Sequence, residues 1–363
     1  MNILHYINNL GSGGAEKLLT DILPIMKEKG HNVFVVIANS NNNFEKYEQL
    51  LKYSEIKVFE IGNSFYNPKQ ILKLLKFIKK NNVEIVHSHL FPTQYWLAIA
   101  SIFISKNIKL VKTEHNAHNH RRDIKFLRPI EKLIYSRYSL IIAITDKVSE
   151  NLKEWIGKNH TIEVIKNGVN LDQIKNEIDK ETTLKFNADQ YNILMVGSFD
   201  GRQKDQLNLI KALEYLPNDV SIYFIGKGPV MNEIKHKVDQ LGFSSQVIFL
   251  GIRKDVYALM SIADLNVLST NYEGLSGVAL EAMASGKPFI GSNVHGVQEV
   301  VPSPYFLFPP KNPKALADKI LELKLDRSRA NNMVIESLKH VKAYDTPIMV
   351  TQYLKIYKEL LYR

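Results

Sequence analysis

Two glutamates separated by seven residues, Glu273 and Glu281, lie in the stretch of the chain that most favours ligand chemistry. The residues around them carry the signals of a helix, since Ser276 suits its N-cap and Gly286 suits its end. This predicted helix is largely apolar, as expected of a buried one. The alternative is a pair of capping and surface carboxylates, which burial of the helix would disfavour.

Glu273 would stand just before this helix, beside backbone N–H groups that we expect to be free. These amides belong to Gly274, Leu275 and Ser276. A carboxylate there could bind ligand hydroxyls while the N–H groups hold a diphosphate. Glu281, about 1.4 turns beyond Ser276, could reach a neighbouring hydroxyl pair such as a ribose.

A glycine-rich turn, Gly11-Ser12-Gly13-Gly14, follows the first apolar run and precedes an amphipathic stretch. Glycines allow a ligand to approach the backbone closely, and a helix N-terminus favours phosphate. The spacing is neither the dinucleotide-binding fingerprint nor a P-loop. Phosphate contact and a tight strand–helix turn therefore both remain open.

Five of the 11 histidines lie within 34 residues: His87, His89, His115, His118 and His120. This density suggests a metal, but no carboxylate or cysteine spacing supports one, and we expect none. His115 directly follows a predicted strand, so it is a candidate for a cleft-facing loop. The alternative for His115 is a structural role, which is common for a lone histidine at the end of a strand.

The positive charge is concentrated in the first half of the chain. Residues 1–170 carry 24 Lys and Arg against 15 Asp and Glu, whereas residues 171–363 carry 23 against 22. Either an anionic partner or the solubility of a lysine-rich protein accounts for the excess. For the helix predicted at 68–80, a packed face with solvated lysines is the simpler interpretation.

A second basic feature consists of Arg121, Arg122, Lys125 and Arg128. We expect this cluster to contact a phosphate-bearing acceptor or anionic lipid headgroups.

The chain alternates short apolar runs with amphipathic stretches, which predicts parallel sheets with helical crossovers. The pattern starts again after the polar stretch 169–190, which is interpreted as a connection. We therefore expect one domain at 1–168 and another at 169–345, each Rossmann-like. A closing helix is predicted within 346–363. Such domains bind ligands at the carboxyl ends of their strands, in a cleft.

Length and composition exclude several classes of protein. The chain has 363 residues, 45% of them hydrophobic, and no cysteine. A disulfide scaffold, a thiolate nucleophile and an iron–sulfur cluster are therefore impossible, and a reducing compartment is favoured. No apolar run approaches the ~18 residues of a membrane span, and no secretory signal is apparent. We expect a cytoplasmic protein.

The stretch E-G-L-S-G-V-A-L-E-A-M-A-S-G-K-P closely resembles the signature of glycosyltransferase family 4. Other landmarks that resemble this family, in order, are Gly13-Gly14-Ala15-Glu16, Val164–Val169, Met195-Val196-Gly197, Ile225–Pro229, Phe249-Leu250-Gly251 and His295–Glu299. The resemblance implies an α/β GT-B fold of two Rossmann-like, doubly wound domains facing a central cleft. It also implies that the C-terminal helix packs back on the N-terminal, acceptor-binding domain.

The resemblance implies roles for individual residues around a donor. Glu273 would contact the donor sugar and Glu281 the ribose. Gly13 and Gly14 would hold the diphosphate together with the amides of Gly274, Leu275 and Ser276, and Gly228 would be a further donor-binding residue. His115 would lie near the donor sugar.

The family also places two cations on the leaving diphosphate, an Arg directly after a glycine and a Lys about six residues later. Lys204 matches the lysine, but Ser198 stands after Gly197 where the arginine is usual. We expect Arg202, in a loop one residue longer, to supply the second positive charge.

The expected function is retaining transfer of a sugar from a nucleotide-diphospho-sugar, most simply a UDP-sugar. The acceptor would be a hydroxyl of a glycan or of a lipid-diphosphate-linked glycan, with peripheral contact to the anionic inner face of the membrane. No metal or other cofactor and no nucleic-acid partner are expected. The alternatives are a sugar-nucleotide 2-epimerase of similar fold, or a basic nucleic-acid-binding protein, although no recognition motif for nucleic acid is present.

Overall fold

The computed structural model describes residues 1–11, 13–115, 120–180, 182 and 184–362. Ser12 of the glycine-rich turn, His118 and the side chain of His120 lie outside the described residues. The chain divides into two compact units. One comprises Met1–Gly168 with Thr346–Arg363, and the other comprises Val169–Asp345.

The N-terminal unit is a parallel sheet with helical crossovers, in the strand order β3-β2-β1-β4-β5-β6-β7. Its strands are β1 (Asn2–Ile7), β2 (Asn32–Ile37), β3 (Val58–Glu60), β4 (Ile85–His89), β5 (Lys109–Glu114), β6 (Leu140–Ala143) and β7 (Ile162–Val164). Its helices are α1 (Gly14–Glu28), α2 (Glu45–Tyr53), α3 (Gln70–Lys80), α4 (Thr93–Ala100), α5 (Arg128–Tyr135) and α6 (Asp146–Ile156). Apolar runs such as β1 are buried along almost their whole length, as strands covered on both faces must be.

The second unit is another parallel sheet, in the order β10-β9-β8-β11-β12-β13. Its strands are β8 (Tyr191–Val196), β9 (Val220–Ile225), β10 (Val247–Gly251), β11 (Leu265–Leu268), β12 (Phe289–Ser292) and β13 (Leu307–Phe308). Its helices are α7 (Leu171–Ile178), α8 (Gln206–Ala212), α9 (Met231–Gln240), α10 (Val256–Ile262), α11 (Gly277–Ala284), α12 (His295–Gln298), α13 (Pro313–Leu325) and α14 (Arg327–His340). The α/β, two-domain fold expected from the sequence is confirmed.

The closing helix, α15 (Thr346–Tyr362), belongs to the N-terminal unit. Its apolar face joins the core that β1 and α1 also build, and Met349, Tyr353 and Tyr357 are buried there. The expectation that this helix packs back on the first domain is therefore confirmed.

Two stretches of the second unit differ from the sequence-based expectation. The polar stretch 169–190 is interpreted as a connection, but it contains α7, which is capped by Asn170 and buries only Ile174. Its 8 residues are too few for an apolar periodicity to stand out within a polar stretch. Helices α13 and α14 likewise occupy residues for which no element is predicted, although Asn312 and Asp326 supply capping side chains at their starts.

Among the described residues, no helix is both long and apolar enough to cross a bilayer.

Candidate active site

A buried ion pair, Lys204 with Glu273, lies at the carboxyl end of the second sheet. Lys204 Nζ donates to Oε1 of Glu273, and each side chain is only 8% exposed. Gln203 donates from Nε2 to Oε2 at 3.0 Å, and the Thr270 hydroxyl lies 3.2 Å from Oε1. Lys204 and Gln203, one on each oxygen, therefore fix the orientation of the Glu273 carboxylate.

Backbone pairing between two loops brings these partners together. Lys204 and Thr270 form an antiparallel bridge. On either side of it, the Asn271 N–H donates to the Gln203 carbonyl at 2.7 Å and the Asp205 N–H donates to the Ser269 carbonyl at 3.0 Å. The loop after β8 and the loop after β11 thus behave as one paired segment, because their main-chain groups satisfy each other.

The loop that carries Glu273 leads into helix α11 with the predicted cap. The Ser276 hydroxyl accepts from the Ala279 N–H, and Gly286 has a positive φ of 76° just after the helix. The Ser276 N–H is not free, however, since it donates to the Gly296 carbonyl at 3.0 Å. The expectation of three free amides is therefore wrong for Ser276. Within the described chain, the N–H groups of Gly274 and Leu275 have no acceptor.

Gly296, at the start of α12, lies against the backbone of Glu273, and the sequence does not reveal why glycine is needed there. A Cβ added there would lie 2.6 Å from the Glu273 carbonyl oxygen and 2.7 Å from the Glu273 Cβ. No real side chain fits at that distance. Glycine is thus required for the two loops to meet, and their contact supports the backbone beside Glu273.

Glu281, one turn into α11, is 7% exposed. The hydroxyl of Tyr257, itself buried on α10, donates to Glu281 Oε1 at 3.2 Å. The structure thus places Glu281 as a buried carboxylate with an internal donor, rather than as a surface charge.

Glycines allow the loops after β8 and β9 to pack closely. A Cβ at Gly226 would meet the Gly197 carbonyl oxygen at 1.9 Å, and one at Gly228 would meet the Phe199 carbonyl oxygen at 2.2 Å. The Lys204 side chain crosses Gly197, where a Cβ would lie 3.1 Å from its Cγ. Gly228 therefore has a packing role whether or not it also contacts a ligand.

Arg202 lies on the exposed loop between β8 and α8. The Asp200 carboxylate organises this loop by accepting from the Arg202 N–H at 2.8 Å, the Gln203 N–H at 2.7 Å and the Ser198 hydroxyl at 2.7 Å. Although burial raises the pKa of Asp200, these bonds hold it below its usual value. The Arg202 carbonyl accepts from the Asn271 side chain at 3.0 Å, which ties this loop to the segment that carries Glu273.

In the N-terminal unit, the glycine-rich turn leads directly into α1. Gly13 is its N-cap and Gly14 its first residue. A Cβ at Gly13 would lie 2.4 Å from the Glu16 carboxylate, whereas among the described residues no atom lies within 4 Å of one at Gly14. Burial raises the pKa of Glu16. Gly14 is therefore the more open of the two candidate phosphate contacts.

His115 directly follows β5 and is partly exposed. Its Nε2 lies 3.3 Å from Nδ1 of His89, the last residue of β4. His89 Nε2 lies in turn 3.1 Å from Nδ1 of His5 on β1. Burial lowers the pKa of His115 to about 4 and that of His5 to about 3.

His5 is not among the histidines expected from the sequence, because more than 80 residues separate it from His87 and the histidines that follow. The available signal was strand position, since β1 and β4 are parallel neighbours and His5 is in register with His87. The ligand atoms of His5, His87 and His89 lie within 4.8 Å of one another, close enough to share a metal ion. His87 already has a partner at each ring nitrogen, the Tyr357 hydroxyl at 2.5 Å and the Thr113 hydroxyl at 2.7 Å.

Two residues of the basic cluster form internal ion pairs. Arg121 donates from Nε to the buried Glu131 at 2.9 Å, and Arg122 lies 3.6 Å from Glu114. Burial raises the pKa of Glu114, but the Lys112 ammonium beside it holds that pKa at about 2.

The other two residues of the cluster, Lys125 and Arg128, are exposed. Arg128 donates to the Glu154 and Trp155 carbonyls at 2.7 and 2.8 Å. Of the four basic residues, Lys125 and Arg128 are thus the ones left at the surface for an external anion.

Comparison with solved structures defines the class of this fold. The Anabaena protein HepE, solved with UDP and glucose, matches with a TM-score of 0.85 over 99% of both chains at 21% identity. A glycosyltransferase from Rickettsia africae matches with a TM-score of 0.82 over 99% of this chain and 98% of its own, at 23% identity. The fold is that of GT-B glycosyltransferases.

Family models match both halves of the chain. The model described as Glycosyltransferase Family 4 matches residues 12–173, and the model described as Glycosyl transferases group 1 matches residues 174–340. The chain belongs to glycosyltransferase family 4.

Curated relatives match over most of their length. N-acetyl-alpha-D-glucosaminyl L-malate synthase of Bacillus anthracis is 24% identical over 96% of this chain and 94% of its own. The N,N'-diacetylbacillosaminyl-diphospho-undecaprenol alpha-1,3-N-acetylgalactosaminyltransferase of Campylobacter jejuni is 24% identical over 94% of each chain.

Proposed function

We propose that this protein is a retaining glycosyltransferase that moves a sugar from a UDP-sugar to a hydroxyl of a lipid-diphosphate-linked glycan. The observation that carries the proposal is the buried Lys204–Glu273 pair beside the amides of Gly274 and Leu275, which find no acceptor in the part of the chain that the structure describes. A diphosphate needs both a cation and main-chain donors, and this segment offers both within a few residues.

In the proposed reaction, the acceptor hydroxyl attacks the anomeric carbon on the face from which the diphosphate leaves. The bond from that carbon to the phosphate oxygen breaks, the bond to the acceptor oxygen forms, and the hydroxyl proton goes to the departing phosphate. Negative charge builds on the phosphate, where Lys204 and the two amides would stabilise it. Arg202 is the proposed second cation. With these groups the step needs no metal.

Glu273 acts in this proposal by position and charge rather than as a nucleophile. Its two oxygens already accept from Lys204 and Gln203, which fixes the orientation of the carboxylate, and this supports its proposed contact with a sugar hydroxyl. Such preorganisation lowers the cost of orienting the donor. Gly13, Gly14 and His115 are the proposed ligand contacts of the N-terminal unit.

The choice of a uridine nucleotide is supported by two similar proteins. HepE was solved with UDP-glucose, and an Escherichia coli relative, 27% identical over 63% of this chain and 62% of its own, is named a UDP-Gal:alpha-D-GlcNAc-diphosphoundecaprenol alpha-1,3-galactosyltransferase. Glu281, one turn into α11, is the proposed ribose ligand, because Tyr257 on α10 holds its carboxylate in place. The Glu281 carboxylate would accept from the ribose hydroxyls.

The lipid-linked acceptor is supported by a basic and apolar surface on the N-terminal unit. Its apolar members are Phe126, Ile130 and Leu133, which are 76%, 51% and 58% exposed. The exposed Lys125 directly precedes Phe126, and the exposed Arg128 lies between Phe126 and Ile130 in the chain. Apolar side chains that insert at an interface and cations that meet anionic lipids together favour peripheral membrane contact.

A thermal-shift screen of nucleotides and nucleotide sugars tests the donor, since a ligand that binds only the folded protein raises its melting temperature. We expect UDP-sugars to raise the melting temperature more than GDP- or ADP-sugars. Glu281→Gln should remove most of this shift. Glu233→Gln, which changes a carboxylate on the exposed face of α9, should leave the shift intact. Equal shifts with all three bases would contradict the uridine assignment.

Product analysis by NMR then separates transfer from epimerisation. With a UDP-sugar alone we expect no epimer, and with a polyprenyl-diphosphate glycan we expect a new glycosidic bond that retains the anomeric configuration. Appearance of a 2-epimer without an acceptor would instead support the epimerase alternative. Transfer to a small soluble hydroxy acid, but not to the lipid-linked glycan, would overturn the acceptor assignment.

A further inference from the structure

Three histidines form a continuous hydrogen-bonded row across the N-terminal sheet. His5 Nδ1 pairs with His89 Nε2 at 3.1 Å, and His89 Nδ1 pairs with His115 Nε2 at 3.3 Å. The row begins in β1, passes the end of β4 and finishes directly after β5. His5 and His89 are fully buried, whereas His115 is partly exposed. The row therefore connects the interior of the unit to its surface.

Each of the three rings carries a single proton at neutral pH. Burial lowers the pKa of His5 to about 3 and that of His115 to about 4, and it lowers the pKa of His89 well below the usual value. A neutral imidazole has one donor and one acceptor nitrogen. Each N···N contact in the row then requires a donor on one side only, so the three tautomers depend on one another.

The buried end of the row sets its direction. His5 Nε2 is buried and has no hydrogen-bond partner among the described residues. An orphaned buried N–H group is rarer in proteins than an unsatisfied acceptor. The His5 proton therefore sits on Nδ1 and is donated to His89 Nε2. His89 must then carry its proton on Nδ1 and donate it to His115 Nε2.

We infer that His5 and His89 are positioning residues that hold His115 as its Nδ1–H tautomer, so that this histidine presents a neutral hydrogen-bond donor at the carboxyl edge of the sheet. No group among the described residues accepts from His115 Nδ1. This donor suits a hydroxyl or another oxygen of a bound sugar as its acceptor. The contact with a sugar depends on the proposed function, whereas the tautomer of His115 does not.

The structure also shows why a metal ion is the weaker explanation of these residues. A metal shared by His5, His87 and His89 would need a free lone pair on each ring. Both nitrogens of His87 are bonded to hydroxyls, and both nitrogens of His89 are used in the row. Only His5 retains an unpartnered nitrogen within the part of the chain that the structure describes.

The direct test is a two-bond ¹H–¹⁵N correlation spectrum of the full chain labelled with ¹⁵N-histidine, recorded at pH 7. We expect His115 to show a protonated Nδ1 and an unprotonated Nε2 in the wild-type protein. In His89→Phe, His115 should lose this pure Nδ1–H pattern. In His89→Gln, which keeps one donor and one acceptor, the pattern should be retained.

His87→Phe is the matched control, because His87 lies on the same strand and face but makes no hydrogen bond in the row. The His115 pattern should survive this change if the effect is specific. An Nε2–H tautomer of His115 in the wild-type protein would overturn the inference. Loss of the pattern in His87→Phe, or one bound metal per chain by elemental analysis, would also overturn it.

The kinetic expectation is a fall in kcat of about tenfold for His89→Phe, the worth of one hydrogen bond, with partial rescue in His89→Gln. Failure of this inference and failure of the proposed function give different results. An Nδ1–H tautomer in a protein that transfers no sugar would contradict the proposed function and leave the row intact. The opposite tautomer in an active transferase would overturn the row and leave the function intact.

Discussion

Lys204 and Glu273 form a salt bridge across 69 positions of the sequence, and each side chain is 8% exposed. A buried ion pair costs desolvation energy and is weak evidence of stability. Its location beside the Gly274 and Leu275 amides, which have no acceptor among the described residues, instead supports the proposed site for a charged ligand.

Removing either partner of this pair should destabilise the second unit, because the other charge would be left buried. We expect a cost of about 3 kcal/mol for Lys204→Met or Glu273→Gln, and a smaller cost for the double variant. Hydrogen exchange measured on peptides from residues 169–345 reports this unit separately. In the two single variants and the double variant, kcat should fall at least 100-fold. A double variant no more stable than the single ones would show that the two charges are not coupled.

Alanine at Gly296 should displace the backbone beside Glu273, because the new Cβ would lie 2.6 Å from its carbonyl oxygen. We expect kcat to fall about 100-fold, the scale of a misplacement near 1 Å. Gly277→Ala is the control for folding, since no described atom lies within 4 Å of the added methyl group. Melting temperature and kcat are the measurements. Wild-type activity in Gly296→Ala would mean that this loop contact does not position Glu273.

The buried histidines should make the N-terminal unit sensitive to acid. Burial lowers the pKa of His5, His87, His89 and His115, so the unfolded chain binds more protons than the folded one below its histidine pKa near 6.5. Stability is therefore complete above that pH and is lost as the pH falls from 6.5 toward 4. Each histidine contributes about 1.4 kcal/mol per pH unit within that window.

Tryptophan fluorescence isolates this effect, because both tryptophans, Trp96 and Trp155, lie in the N-terminal unit. Denaturant midpoints followed in this way should fall steeply between pH 6.5 and 5. In His5→Phe the denaturant midpoint should depend less steeply on pH, since one histidine no longer takes up a proton on unfolding. A midpoint that stays constant over this range would rule out buried neutral histidines.

The basic and apolar surface should bind anionic vesicles. Phe126→Ser combined with Lys125→Glu should weaken binding to phosphatidylglycerol vesicles at least tenfold, since it removes an inserting ring and reverses a charge. Leu72→Ser with Lys73→Glu is the matched control on α3, where Leu72 is 71% exposed, close to the 76% of Phe126. Co-sedimentation measures both variants. Equal losses in the two would indicate that net charge alone drives binding.

Local sequence signals were sufficient for the elements of the site but not for its pairings. Helix α11 was predicted from Ser276 and Gly286, because a cap and a stop are encoded within a few residues. The Lys204–Glu273 contact depends on the bridge between Lys204 and Thr270, which no local pattern reveals. The bond from the Ser276 amide to Gly296 is equally non-local, and for this reason three free amides were expected where two are found.

The most direct test is a crystal structure of the protein with bound UDP. The account predicts diphosphate oxygens within hydrogen-bond distance of the Gly274 and Leu275 N–H groups, with Lys204 beside them. A diphosphate bound elsewhere in the protein, or these two amides bonded to protein atoms while UDP is present, would contradict it.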